Sequence, residues 1–175
     1  MLDIPPDRRA DENAIVGVIV TDMDRLIFLD VDGVLNSMSF AKKMLDEEGV
    51  RVFREDILDR RCLLLLKDIV DKTGAKIVVS SAWRRIPRAF QHLKEWLEQY
   101  SMEVYVVTPY VGGERGNDIT AWFNRNPGEY RYVILDDDSD MTTHMEHLVH
   151  TNFHDRGLTR SLADRCIAIL NSSNS

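Results

Sequence analysis

Short apolar runs alternate with amphipathic stretches along most of the chain. Residues 15–20 (Ile-Val-Gly-Val-Ile-Val) and 26–29 (Leu-Ile-Phe-Leu) are continuous hydrophobic runs of strand length, separated by the polar Thr21-Asp22-Met23-Asp24-Arg25. From residue 57 the period changes. Ile57, Leu58, Cys62, Leu65, Leu66, Ile69 and Val70 recur at the spacing of one helix face, and Thr73-Gly74 closes the pattern, which predicts a helix over 57–72. Ile77-Val78-Val79 is the next strand and ends in Ser80-Ser81. A second helix is predicted from Pro87 to Tyr100, with proline in its first turn and Phe90, Leu93, Trp96 and Leu97 as its apolar stripe. Then come a strand at 103–107, a loop bearing Gly112, Gly113 and Gly116, a helix over 118–125 and a strand at 131–135. Leu148-Val149 reads as one more short strand, and a last helix over 159–170 turns Leu162, Cys166, Ile167 and Leu170 inward. Residues 36–55 are mixed and charged, with no clear period.

This alternation predicts an α/β fold, a three-layer sandwich around a mostly parallel central sheet. Residues 1–13, rich in Pro, Asp and Arg, read as a flexible lead-in, and 14–175 as a single domain without internal repeats or linkers. At 175 residues a self-sufficient core is within reach. The 44% hydrophobic and 29% charged residues exclude collagen-like, low-complexity and wholly disordered chains. A formal charge of −7 argues against a generally basic nucleic-acid binder, while a local basic groove stays compatible with it. The longest apolar stretch of the predicted helices, Leu63–Leu66, is far too short for a bilayer, and the polar, proline-broken N-terminal stretch does not read as a signal peptide. Cys62 and Cys166 lack metal-ligand or disulfide spacing and are expected as buried free thiols in a reducing, cytoplasmic setting.

In open parallel sheets, sites form at the carboxyl ends of the strands. That rule selects Asp30-Val31-Asp32-Gly33, Ser80-Ser81 and the run Asp136-Asp137-Asp138 with Asp140. Two carboxylate clusters brought together repel unless a cation lies between them, and Mg²⁺ suits all-oxygen ligands. A carboxylate can then attack a phosphate as a covalent nucleophile. A second carboxylate two residues on can serve as general acid and base. The Ser80 hydroxyl and a cation can hold the phosphoryl oxygens. Arg115, in the glycine-flanked Gly113-Glu114-Arg115-Gly116, is the candidate cation, with Lys76 and Arg84 as rivals. Asp22-Met23-Asp24 also follows an apolar run but lacks the following glycine and reads as a turn. His144, His147, His150 and His154 do not match a zinc-ligand spacing. Trp83 and Arg84 read either as core and salt-bridged residues or as a substrate clamp. Arg84, Arg85 and Arg88 make a small basic patch at the predicted mouth of the site.

Phe28-Leu29-Asp30-Val31-Asp32-Gly33-Val34-Leu35-Asn36 resembles the first motif of the haloacid dehalogenase-like (HAD) phosphohydrolase superfamily. Val78-Val79-Ser80 resembles its second motif, Arg115 its third, and Ile134-Leu135-Asp136-Asp137 its acidic fourth. Ser80-Ser81-Ala82-Trp83-Arg84 and the downstream Leu-Asp-Asp-Asp-Ser-Asp are similar to the small HAD domains associated with RNA-repair proteins; the likeness spans residues 25 to 170. The resemblance implies a HAD-like Rossmannoid fold and Mg²⁺-dependent hydrolysis of phosphomonoesters through an aspartyl-phosphate. It implies Asp30 as nucleophile and metal ligand, and Asp32 as general acid/base whose backbone carbonyl also binds metal. Ser80 and Arg115 would hold the phosphoryl group. Asp137 or Asp136 would complete the metal site, with Asp140 in support, since the fourth motif departs from the commoner glycine-aspartate form.

The 47 residues between Asp32 and Ser80, and the 34 between Ser80 and Arg115, leave no room for a cap domain. An open site shielded only by a flap within 36–55 is expected. It would suit a bulky phosphorylated substrate such as a phosphoprotein or a nucleic-acid end. A phospho-acceptor module and a catalytically silent binding domain on the same scaffold are the alternatives.

Overall fold

The computed structural model describes residues 23–49 and 57–172. Five parallel strands form one sheet in the order β3-β2-β1-β4-β5: β1 Asp24–Leu29, β2 Lys76–Val79, β3 Val104–Val107, β4 Tyr130–Asp136 and β5 Leu148–His150. The helices are α1 Met38–Glu48, α2 Arg60–Thr73, α3 Pro87–Gln99, α4 Arg115–Arg125 and α5 Arg160–Asn171. The strands are short apolar runs because both faces of the sheet are covered. On one face Ile27, Leu29, Ile77, Val79, Val133 and Leu135 pack with α2, α3 and α5. On the other, Leu26, Phe28, Val78 and Ile134 meet Ile119 and Trp122 of α4, together with Met141. The expected three-layer arrangement is therefore present, the sheet is wholly parallel, and no cap domain stands among the described residues.

Most expected elements appear with shifted ends. α2 starts at Arg60, capped by the Asp59 carboxylate, and stops where Gly74 takes a left-handed conformation and donates to the Val70 carbonyl. α4 begins at Arg115 rather than 118, so Arg115 is its first residue and not part of the preceding loop. The clearest departure is α1, in a stretch without apolar periodicity. Ser37 accepts from Phe40 N–H at one end and Gly49 closes the other, while none of its residues is buried. A helix that buries no residue fully, with only Phe40, Ala41 and Met44 half-buried, writes a weak stripe into the sequence. The segment 36–55, within which a flap is expected, includes a regular helix over 38–48; residues 50–56 and the expected strand at 15–20 lie outside the described residues. Cys62 and Cys166 are buried free thiols. No helix among the described residues is long and apolar enough to cross a membrane.

The strand ends are held in one row. Asp30 N–H donates to the Leu135 carbonyl (2.9 Å), Ser80 N–H to Leu29 (3.0 Å), Thr108 N–H to Val79 (3.0 Å) and Thr151 N–H to Asp136 (2.9 Å). The ladder therefore continues past each strand and sets the first polar residue of every loop at the same rim. Arg84 ties this rim together. Its Nε donates to the Thr108 carbonyl (3.0 Å), Nη1 to Ser81 (2.6 Å) and to Ser80, and Nη2 meets Asp118 Oδ2 at 2.6 Å. Both side chains are buried, at 4% and 7% exposure. Arg84 thus belongs to the interior and not to the basic patch at the mouth.

Removing one member of a buried ion pair leaves the other charge without compensation. Asp118→Ala should cost about 3–5 kcal/mol in urea unfolding; a loss below about 1 kcal/mol, the range of an exposed pair, would contradict the structural role given to this contact.

Candidate active site

The site is assembled from the loops after β1, β2 and β4 and from the first turn of α4. Asp30 leaves β1 buried, at 5% exposure. Gly33 then turns the chain with φ +79°, and a Cβ there would stand 2.3 Å from Asp137 Cγ. The glycine is required twice, for its backbone conformation and for the close approach of the second acidic loop. One carboxylate oxygen each from Asp30, Asp136 and Asp137 lie within 4.8 Å of one another. Asp30 is more than a hundred residues from the adjacent Asp136 and Asp137, and the parallel pairing of β1 with β4 brings them together.

Arg115 spans two of them. Its Nη2 is 3.3 Å from Asp30 Oδ1, its Nε 3.2 Å from Asp136 Oδ2, and its Nη1 donates to the Ser80 carbonyl. Two devices hold it. Arg115 N–H donates to Asp140 Oδ2 (3.0 Å) and Gly116 N–H to the Asp140 carbonyl (3.1 Å), so Asp140 supports the start of α4 and not the carboxylate group. Gly116 lies so close to Met141 that a Cβ would be 2.2 Å from its carbonyl oxygen. The rival cations are placed elsewhere: Lys76 pairs with Asp24 at the opposite ends of the strands, and Arg84 with Asp118.

Asp32 is not one of the three grouped carboxylates, although its charge reaches Asp30 and Asp137. Its Oδ2 accepts from the Trp83 indole N–H (3.0 Å) and its Oδ1 from the Asn36 amide (2.9 Å), while Asn36 Oδ1 accepts from Gly33 N–H (3.0 Å). Trp83 is thus a buried residue with a polar function, and Asn36, to which the sequence reading assigned no part, fixes the turn. Ser80 and Ser81 divide their tasks. The Ser80 hydroxyl is buried and has no hydrogen-bond partner among the described residues, whereas the Ser81 hydroxyl accepts from Trp83 N–H (3.3 Å) and helps lower the Asp30 carboxyl. The sequence singled out the first serine; the second was signalled only by its adjacency. The histidines serve other ends: His144 contacts the Thr120 and Tyr132 hydroxyls, His147 stacks on Tyr132 and His150 meets the Asp137 carbonyl.

The electrostatics follow from burial. Desolvation pushes the Asp30 carboxyl above the usual carboxylate range, with Arg115 pulling against it. Asp136 is raised by burial and by Asp30, again opposed by Arg115. Asp137 is raised by burial and by Asp138. A divalent cation fits this donor set. All three donors are oxygens, and Asp136 Oδ2 is buried without an aligned hydrogen bond despite its nearness to Arg115. The three oxygens, already within 4.8 Å of one another, are close enough for such an ion to be held by all three acids.

Binding to the folded state alone raises the unfolding temperature. Millimolar Mg²⁺ should stabilise the wild type by several degrees, and Asp137→Asn or Gly33→Ala should remove most of that shift. The shift should also shrink as pH falls, because protons compete for carboxylates whose affinity for them is already raised. Thermal scans with and without the ion check this; an undiminished shift in both variants would contradict the placement of the site.

A family profile described as the HAD domain in Swiss Army Knife RNA repair proteins matches residues 26–163, from β1 into α5 and across every site residue named above. No curated protein and no solved structure gives a match. HAD membership carries phosphatase-like hydrolase chemistry and a general use of Mg²⁺, in keeping with the buried carboxylate cluster. The parallel sheet, described without a cap over residues 23–49 and 57–172, agrees with the matched profile: the chain belongs to the HAD domains of the Swiss Army Knife RNA repair family.

Proposed function

We propose that this protein is a Mg²⁺-dependent phosphomonoesterase that works through an aspartyl-phosphate on Asp30. The observation that carries the reading is the convergence of Asp30, Asp136 and Asp137 with Arg115 at the carboxyl rim of the sheet. Asp30, Asp136 and Asp137 would hold the ion through their side chains, with the Asp32 carbonyl in support. When bound, the cation offsets the negative charge that otherwise keeps a carboxylate from a phosphate.

The chain's own groups then have distinct tasks. An Asp30 oxygen attacks phosphorus, and the bond from phosphorus to the leaving oxygen breaks. Asp32 gives that oxygen its proton. Asp32 next takes a proton from water, whose oxygen attacks the phosphoryl group and returns Asp30 as a carboxylate. Arg115 neutralises the phosphoryl oxygens, and the Ser80 and Ser81 hydroxyls donate to them. Trp83 and Asn36 hold the Asp32 carboxyl at a fixed angle. With no cap domain among the described residues, a phosphate on a bulky carrier can reach this rim, so a phosphoprotein or a nucleic-acid end is the substrate class in view. Two buried free thiols support a cytoplasmic, reducing location.

Asp30→Asn should reduce steady-state hydrolysis of an aryl phosphate by at least about 10³-fold. Because burial disfavours the Asp30 charge, the variant should unfold at the same or a higher temperature than the wild type. EDTA should abolish wild-type turnover. Full activity in the variant would end the nucleophile assignment, and a single stoichiometric phosphorylation without turnover would favour a phospho-acceptor module instead.

A further inference from the structure

Arg115 also lines a cleft of about 150 Å³ outside the carboxylate group, shared with Arg85, Tyr110 and Asp140. Tyr110 is 58% exposed. The Arg85 guanidinium sits over its ring, 3.6 Å from the centroid. An exposed loop aromatic is ordinary by itself; the backbone beneath this one is not. On one side of Tyr110, the Thr108 and Pro109 carbonyls accept from Arg84 at 3.0 and 3.4 Å. On the other, Val111 N–H donates to Asp118 Oδ1 at 2.9 Å. Arg84 and Asp118 are the buried pair that also holds the Ser80 and Ser81 carbonyls. The same interior contact therefore fixes the end of β2 and the loop that presents Tyr110. Gly112 and Gly113, with φ +85° and +79°, then turn the chain back to Arg115.

A π-face and a planar cation are rigidly set beside the arginine that binds the reacting phosphate. Their complement is a planar ring carried on that phosphate's own backbone. Aromatic faces backed by arginine are how proteins hold unpaired bases without reading their sequence. The overall charge of −7 restricts such binding to a local patch, and Arg85 supplies the patch at this point. We propose that Tyr110 and Arg85 form a stacking subsite for the terminal base of a single-stranded, end-phosphorylated nucleic acid. The proposal rests on the phosphomonoesterase reading for the position of the phosphate.

Fluorescence anisotropy on the full chain carrying Asp30→Asn tests it without consuming the probe. The probes are short single strands labelled at the far end and phosphorylated at the 5′ or the 3′ terminus, each with an intact or an abasic terminal nucleotide. Adding Tyr110→Ala should weaken binding of the intact probe about tenfold for at least one terminus, the worth of one stack at about 1.4 kcal/mol. Tyr110→Phe should retain that affinity. The abasic probe should bind both forms equally, which makes the loss a coupling between ring and base. No binding of either probe, no loss with Tyr110→Ala, or an equal loss on the abasic probe would overturn the subsite. So would a Tyr110-dependent loss seen on a phosphopeptide and not on the oligonucleotides. Since the readout is binding and not hydrolysis, failure of the subsite and failure of the catalytic reading appear in separate assays.

Discussion

The structure is organised around a charge that its own residues do not cancel. Three carboxylates come within 4.8 Å of one another at the rim, and one guanidinium touches two of them. Three negative charges against one positive leave −2. At an effective dielectric of about 20, each carboxylate pair at this separation repels by roughly 3 kcal/mol or more. Burial raises the Asp30 and Asp136 carboxyls first, and for Asp136 the nearness of Asp30 adds to it, so both tend to take up protons. A divalent oxygen-seeking cation would remove the deficit and, on the proposed reading, let a carboxylate meet a phosphate.

The rest of the fold serves to hold that cluster against its own repulsion. Parallel pairing of β1 with β4 delivers the two acidic loops to one edge, and the missing side chain of Gly33 lets Asp137 close against the first loop. Arg115 is held by the Asp140 cap and by the tight approach of Gly116 to Met141. Arg84 and Asp118 lock the strand ends on which both serines stand. Such a rim is rigid because its anchors are buried, and Asp30, Ser80 and Asp136 are themselves buried beside them.

Much of this is legible in the sequence for a simple reason. A buried parallel strand is a continuous apolar run, and the polar residue that follows it marks the rim, so Asp30, Ser80 and Asp136 stand out without coordinates. The family likeness of the first and fourth motifs follows from the same local strings. What stays hidden depends on partners far away in the chain. Arg84 looks like a surface arginine until Asp118, 34 residues on, takes its charge inside. Trp83 looks like core until its indole meets Asp32, 51 residues back. α1 escapes because none of its residues is fully buried, and the start of α4 is masked by Gly116, a poor helix former kept there by packing.

The most direct test of the account is a crystal structure of the protein soaked with Mn²⁺ in place of Mg²⁺, with the ion located by its anomalous signal. The account predicts one strong peak at the rim, about 2.1 Å from carboxylate oxygens of Asp30 and of Asp136 or Asp137. A peak bound to only one of the two acidic loops, or none at the rim at millimolar Mn²⁺, would contradict it.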